Sequence, residues 1–243
     1  MLDAIERACN YLNTLTKRMH SNEEGKTTFQ LMGELISSTQ KFSYIGTIIS
    51  NTERAVDSES KQRLVKEITE YLEKGAQFAV DEKGRFDETL AHAAARLDLP
   101  ELTKYLIDNS APVVDSQDAF GQCPWHTAAI FGSIGVLEEH RAANHDITSR
   151  SNSTLWSILH IAAVKNQTEF IRYVLDNEML PVDHKDFYGR TPLFLAIQYQ
   201  KKEAVYVLLE YGADQTEKSK LKITPLGLSG YFMPELTIFF LNE

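Results

Sequence analysis

Apolar and polar positions alternate with helical spacing through much of the chain, and residues 186–214 show this most clearly. Two segments of that stretch, LFLAI and AVYVLL, place apolar side chains three and four residues apart, as amphipathic helices do. Thr191 and the proline after it mark a helix start, and Gly189 and Gly212 mark turns. The pattern predicts two short helices and a loop. Such short helices need neighbours of the same shape to bury their apolar faces.

Related phrases recur along the chain at a nearly constant period. They are TLAHAAA from Thr89, CPWHTAA from Cys123, SILHIAA from Ser157, TPLFLAI from Thr191 and TPLGLSG from Thr224. The first three steps are 34 residues long and the last is 33. Five units at a constant period indicate a repeat protein in which each unit packs on its neighbours.

The period and the phrases resemble the ankyrin repeat family, whose units begin a helix with Thr-Pro-Leu-His-x-Ala. The family's second-helix ending, Leu-Leu-x-x-Gly-Ala-Asp, is complete at residues 208–214 and degraded at residues 106–112. In the unit that starts at Cys123, residues 138–140 are Glu-Glu-His where apolar residues are expected. The sequence therefore does not determine the length and packing of the second helix of this unit. The resemblance implies an all-α ankyrin-repeat solenoid of about five repeats plus a partial first one.

Two regions are predicted, an N-terminal helical region at residues 1–57 and an ankyrin repeat domain at residues 58–243. Apolar residues at helical spacing predict helices in the first region, which would cap the apolar end of the stack. Residues 61–73 lead into Gly75 with the same ending as the second helix of the Thr191 unit. We therefore interpret them as the outer helix of the partial first repeat.

Turns between the repeats have their own pattern. Residues 114–121 and 182–189 share Val-Asp-x-x-Asp-x-x-Gly, in which the glycine permits a positive φ and aspartate can accept hydrogen bonds from nearby backbone amides. Leu155 stands at the glycine position of the intervening unit. A less regular turn is predicted there.

Charge and composition narrow the class of partner. The net charge of −9 is concentrated in the repeats, which disfavours nucleic acid and suits a partner with apolar anchors and Lys or Arg. Charged residues interrupt the N-terminus where a signal peptide would be apolar, and no apolar stretch is long enough to cross a membrane. Cys9 and Cys123 form no disulfide framework. We expect a cytoplasmic protein, or one in a host cytosol if it is a secreted effector.

Histidine and cysteine are the candidate catalytic or metal-binding residues. His92, His126 and His160 recur every 34 residues, but helices about 10 Å wide separate them too far to share one ion. The resemblance implies structural histidines that hydrogen-bond the backbone near the turns. Cys123 and His126 have the spacing of a nucleophile and base, yet no third group orients them. We predict no catalytic residue, metal or cofactor.

Candidate binding residues lie at positions that the repeat does not need for its own packing. In the ankyrin family the turn tips and the exposed side of the first helix face a concave groove. The candidates there are Phe86, Phe120, Ile130, Phe131, Trp156, Phe187, Tyr188 and Tyr199. Either these side chains fold back and extend the core, or they form a protein-binding surface. We favour the second, with Trp156 and Tyr188 as first anchors, and we place Trp125 in the core.

The sequence thus predicts a non-enzymatic interaction module that binds a protein or peptide in the concave groove. A methylated lysine held in an aromatic cage is a special case. The alternative is an effector-type protein, as bacteria secrete, in which residues 1–57 carry the activity and the repeats target it to a host protein. A self-associating scaffold is a third hypothesis, and the oligomeric state is open.

Overall fold

The computed structural model describes residues 58–73, 85–109, 115–149, 151 and 155–236. All of them belong to the unit Ile45–Glu243. The predicted helical region at residues 1–57 lies outside them, so its proposed role as a cap stays a prediction.

Ten α-helices of seven residues or more make up most of the described part of the chain, which contains no β-strand. Their bounds are α1 Ser58–Glu73, α2 Leu90–Leu97, α3 Pro100–Asp108, α4 Pro124–Phe131, α5 Ile134–Ala142, α6 Ile158–Lys165, α7 Thr168–Asp176, α8 Pro192–Gln198, α9 Lys202–Glu210 and α10 Pro225–Phe232. A short 3₁₀ turn, Arg85–Asp87, precedes α2. The predicted all-α class is confirmed.

The helices form two layers. The first helices of successive repeats (α2, α4, α6, α8 and α10) pack on one another in order, and each of the first four also packs on the second helix of its own repeat. In the second layer α1 packs on α3, α3 on α5, and α7 on α9. The placement of α1 beside α3 agrees with its interpretation as the outer helix of a partial repeat. The arrangement is the predicted solenoid.

Small residues let the first helices approach closely. Pairs of alanines recur at the centre of α2, α4 and α6 and are fully buried, at 0% exposure: Ala94, Ala95, Ala128, Ala129, Ala162 and Ala163. The second layer supplies larger buried side chains such as Leu106 and Phe170. Burial of this apolar surface stabilises a helix pair that could not fold alone.

Helix α5 is regular despite its polar sequence. It has nine residues, the same length as α3, α7 and α9. Val136 and Leu137 are buried, and so is His140, whereas Glu138 lies on the exposed side. The question that the Glu-Glu-His segment left open is therefore answered in favour of a full second helix.

In every turn the residue two positions before the helix-start residue adopts the left-handed backbone conformation, and in the first turn Phe86 does so as well. The residues at that position are Asp87, Gly121, Leu155, Gly189 and Lys222, with φ between 54° and 72°. Leu155 thus follows the same backbone as the glycines, at the steric cost that a side chain adds in this region. The hydrogen bonds of this turn are nevertheless less regular, as predicted. The Leu155 N–H donates to the Ser151 carbonyl four residues back, whereas the N–H groups of Gly121 and Gly189 donate to the Asp118 and Asp186 carbonyls three residues back. Residues 152–154 lie outside the described residues.

Candidate partner-binding surface

Aspartate side chains fix the shape of two turns. Asp118 Oδ1 accepts hydrogen bonds from the backbone N–H groups of Phe120 and Gln122, both at 2.8 Å. Asp186 Oδ1 accepts from Tyr188 N–H and Arg190 N–H at the same distance. The aspartates therefore do what the Val-Asp-x-x-Asp-x-x-Gly pattern predicted, and they hold Phe120 and Tyr188 at the tips.

Backbone hydrogen bonds also join one tip to the next. The Ala119 N–H donates to the Phe86 carbonyl at 2.8 Å, and the Lys220 N–H donates to the Tyr188 carbonyl at 2.8 Å. The rings of Phe86 and Phe120 stand 5.5 Å apart. Two pairs of neighbouring tips are therefore joined directly through their backbones.

Six of the eight predicted binding residues are exposed. The exposed fractions are close to one half for all six: Phe86 49%, Phe120 52%, Phe131 49%, Phe187 53%, Tyr188 52% and Tyr199 45%. Ile130 and Trp156 are only partly exposed because they pack against the core. Trp156 therefore packs back onto the core, as the first of the two interpretations expected, and its role in partner binding stays a prediction.

Trp156 folds back because it finds a polar partner in the next turn. Its Nε1–H donates to Asp186 Oδ2 at 3.2 Å, and its ring meets Tyr199 edge-on at 6.3 Å. The Arg190 guanidinium bonds the same carboxylate at 2.7 Å and lies 4.9 Å from the Tyr188 ring and 5.8 Å from the Trp156 ring. The chain's own arginine already contacts the aromatic faces that a cage for methylated lysine would use.

Ring contacts divide six of the eight candidates into two groups. Phe86 and Phe120 form one, and Trp156, Phe187, Tyr188 and Tyr199 form the other around Arg190. Phe131 and Tyr199 occupy equivalent positions at the ends of α4 and α8, with the exposed Lys165 at the same position between them. The surface is therefore aromatic at both ends and interrupted by charge.

Four further exposed apolar residues of the last repeat were missed by the sequence analysis. They are Leu221 (80% exposed), Ile223 (40%), Tyr231 (87%) and Phe232 (40%). Leu221 and Phe232 follow Tyr188 and Tyr199 by 33 residues, the same step that separates Thr191 from Thr224. Extending the row by one more period would have found Leu221 and Phe232, but not Ile223 and Tyr231.

The three recurring histidines hydrogen-bond the backbone on both sides. Each Nδ1 accepts the N–H of the residue at the start of its own helix, at 3.1–3.3 Å. Since that nitrogen accepts, Nε2 carries the proton, and it donates to Gln122 O at 2.8 Å, Ser149 O at 3.1 Å and Arg190 O at 3.0 Å respectively. Their structural role, joining each first helix to the next turn, is confirmed. In the last two repeats Phe194 and Gly227 replace the histidine.

Cys123 and His126 do not have the chemistry of a catalytic pair. The backbone N–H of Cys123, and not its thiol, donates to His126 Nδ1 at 3.1 Å. Burial raises the pKa of the Cys123 thiol to about 11 and lowers the pKa of His126 to about 4. Both groups are therefore neutral at pH 7, whereas a nucleophilic cysteine acts as the thiolate.

The repeat geometry agrees with comparison to known proteins. A profile of ankyrin repeats, in three copies, matches residues 126–219. Residues 126–219 of this chain are therefore ankyrin repeats. Ankyrin repeats are generally protein–protein interaction modules and are generally non-enzymatic.

Several known proteins are similar in sequence to parts of the chain. An ankyrin repeat protein of Acanthamoeba polyphaga mimivirus is 38% identical over 58 residues, which is 24% of this chain and 6% of that protein. The human transient receptor potential cation channel subfamily A member 1 is 26% identical over 139 residues, or 56% of this chain and 12% of the channel. The Xenopus laevis neurogenic locus notch homolog protein 1 is 27% identical over 165 residues, or 67% and 6%. The chain thus matches only a small part of each relative.

In the part of the chain that the structure describes, no group of three or more His, Cys, Asp or Glu side chains is placed to hold a metal ion. None of the described helices combines the length and apolar character needed to cross a membrane.

Proposed function

We propose that this ankyrin repeat protein is a non-enzymatic module that binds a protein or peptide in the concave groove, across the turn tips and the ends of the first helices. The observation that supports it is the row of six half-exposed aromatic rings at positions that the helix stack does not use for its own packing. Exposed apolar surface is a mark of interaction sites, and aromatic anchors dominate binding energy.

The anchors are presented by a rigid backbone. Phe120 and Tyr188 sit in turns held by Asp118 and Asp186, and the Tyr188 carbonyl is bonded to the next tip. Groups that are already ordered lose less entropy when a partner binds. The geometry therefore favours binding at the tips over binding at a flexible loop.

The charge at the Phe86 end suits the basic partner that the sequence suggested. Asp87 is exposed there beside Phe86, and Glu88 is paired with Arg96. We place a Lys or Arg of the partner at this end. We also place the protein in the cytoplasm, where a buried free thiol such as that of Cys123 stays reduced.

A quantitative pull-down from cell lysate tests the proposal with the full chain. The variant Phe120→Ser/Phe131→Ser/Tyr188→Ser removes three exposed rings and leaves Trp156, which is bonded to the turn, in place. Tyr206→Ser is the matched control, because Tyr206 is 43% exposed on the second helix α9. Circular dichroism verifies that both variants are folded.

Proteins captured by wild type and by Tyr206→Ser but lost with the triple variant would support the groove. Equal capture by all three forms would contradict it. The alternative function, an activity carried by residues 1–57 with the repeats as a targeting module, lies outside the described residues.

A further inference from the structure

Positive charge is concentrated in the last two described turns, although the net charge of the whole chain is negative. We call residues 185–190 and 217–222 the basic tip. It contains five basic and two acidic residues: Lys185, Arg190, Lys218, Lys220 and Lys222 against Asp186 and Glu217. Its net charge is opposite in sign to the −9 of the whole chain.

Both carboxylates of the basic tip are already neutralised within it. Lys185 Nζ lies 2.7 Å from Glu217 Oε2, and the Arg190 guanidinium lies 2.7 Å from the buried Asp186 carboxylate. Lys218, Lys220 and Lys222 are exposed and form no ion pair with any other described residue. Three positive charges are therefore uncompensated on this surface.

Apolar side chains alternate with these lysines. Leu221, between Lys220 and Lys222, is 80% exposed, and Phe187 and Tyr188 on the neighbouring tip are half exposed. The Lys220 ammonium lies 4.1 Å from the centre of the Phe187 ring, which restrains its position by a cation–π contact. The surface thus offers apolar contact and fixed positive charge side by side.

Part of the negative charge of the repeats lies on the other layer. Exposed carboxylates are spread along the second helices, at Glu101, Asp108, Glu138, Glu169, Asp176, Glu203 and Glu210. A partner that docks on the last two tips meets the basic tip, while these carboxylates lie on the second layer. The average charge of the repeats, from which the sequence analysis inferred a basic partner, does not describe this end of the surface.

We propose that the basic tip binds an acidic protein segment, one in which Asp or Glu residues flank an apolar or aromatic side chain. The carboxylates pair with Lys218, Lys220 and Lys222, and the apolar side chain packs on Leu221 and Phe187. This inference rests on the proposed function, because it names the kind of partner that the same row of tips accepts at its C-terminal end.

Protein fits this surface better than nucleic acid does. Single-stranded nucleic acid binding combines a basic groove with free aromatic faces on which bases stack. Here Arg190 lies against Tyr188 and Lys220 against Phe187, so those faces are partly covered. The net charge of −9 also repels a polyanion longer than the tip.

The test is selection from a random dodecapeptide display library on the full chain, followed by fluorescence anisotropy with the selected peptide. We expect selected peptides to be rich in Asp and Glu next to aromatic or aliphatic residues. Lys218→Gln/Lys220→Gln/Lys222→Gln should weaken binding of the selected peptide by about tenfold or more at low salt, since three charge pairs are lost. The control Lys61→Gln/Lys66→Gln/Lys104→Gln removes the same charge from α1 and α3 and should change binding by less than about twofold.

Selected peptides rich in Lys or Arg, or equal effects of the two triple variants, would overturn this inference. Tighter binding of a twelve-residue oligouridine than of the selected peptide would also overturn it. The proposed function is judged separately, by Phe120→Ser/Phe131→Ser/Tyr188→Ser. If the selected peptides are not acidic and that variant does not bind them, the result supports binding in the groove and contradicts only the acidic specificity.

Discussion

Asp186 is the residue on which most polar contacts of the surface converge. Its carboxylate accepts from two backbone N–H groups, from Arg190 and from Trp156 Nε1, whereas the equivalent Asp118 accepts from two backbone N–H groups. We expect Asp186→Ala to lower the free energy of unfolding by about 3 kcal/mol or more, because it leaves a partly buried arginine unpaired. Asp118→Ala should cost about 1–2 kcal/mol. Urea unfolding measures the free energy of unfolding of both variants, and equal losses would contradict the larger role assigned to Asp186.

Alanine substitutions at two glycines distinguish the cost of backbone strain from the cost of steric crowding. Gly189 and Gly212 have φ of 71° and 79°, so alanine at either position is strained by about 1–2 kcal/mol. A Cβ at Gly189 would also lie 3.2 Å from the Lys220 backbone nitrogen, whereas a Cβ at Gly212 would meet no atom within 4 Å. We expect Gly189→Ala to be the more destabilising in urea unfolding. The reverse order would show that the bond between tips at Tyr188 and Lys220 contributes little.

Single residues also show which features can be predicted from the sequence and which cannot. The burial of Trp125 and the histidine bonds were predictable because the family pattern assigns those positions. The orientation of Trp156 was not, since it depends on Asp186, which is 30 residues away and belongs to the next turn. Exposure of the six aromatic candidates agrees with the sequence, but their role in binding stays a prediction.

Helix α5 contains a buried histidine at a position that is apolar in the other second helices. His140 is 0% exposed and is equivalent to Leu106, Val174 and Leu208. Its Nδ1 contacts His145 Nδ1 at 2.9 Å, while its buried Nε2 has no hydrogen-bond partner. We expect His140→Leu to stabilise the protein by about 1 kcal/mol or more, since an unsatisfied buried polar group is removed. A lower melting temperature for His140→Leu would contradict this.

The buried histidines make the stability of the stack depend on pH. Burial lowers the pKa of His126 to about 4 and that of His140 to about 3. In the unfolded chain both titrate near 6.5, so below pH 6.5 the unfolded state binds more protons and stability falls until the pH reaches the folded-state pKa. Each should cost about 2 kcal/mol at pH 5.

Urea unfolding at pH 7 and pH 5 measures this loss. His140→Leu should show a smaller loss between the two pH values than wild type, by about 2 kcal/mol, because one titrating group has been removed. Equal losses in both proteins would show that His140 is protonated as readily in the folded state as in the unfolded one.

The number and order of the described helices could largely be predicted from the sequence, because the 34-residue step fixes where each repeat begins. Helix α5 was the exception. Its Glu-Glu-His segment predicted a doubtful helix, yet Glu138 lies on the exposed side and His140 is accommodated against His145 and Trp125. Such compensation depends on neighbours in space that a periodic pattern does not identify.

At the scale of the whole described stack, stability should fall toward the last repeat. Helix α10 buries three of its residues, whereas α6 and α8 bury six each. Gly227 in α10 also stands where α2, α4 and α6 have the histidine that ties a first helix to the next turn. We expect amide hydrogen exchange to be fastest in α10 and slowest in α6 and α8. Uniform exchange along the stack would indicate a single cooperative unit.

The hydrogen bonds donated by the recurring histidines all run from one repeat to the next repeat along the chain. Each Nε2–H reaches forward, so a cut after α7 would leave the donor of His160 without the Arg190 carbonyl. A cut directly after α3 would instead remove only one of the two donors to the Gln122 carbonyl, which still accepts from the Asp118 N–H. Shortened forms of this protein should therefore tolerate removal of leading repeats better than removal of trailing ones, and a trailing cut is best combined with replacement of the last histidine.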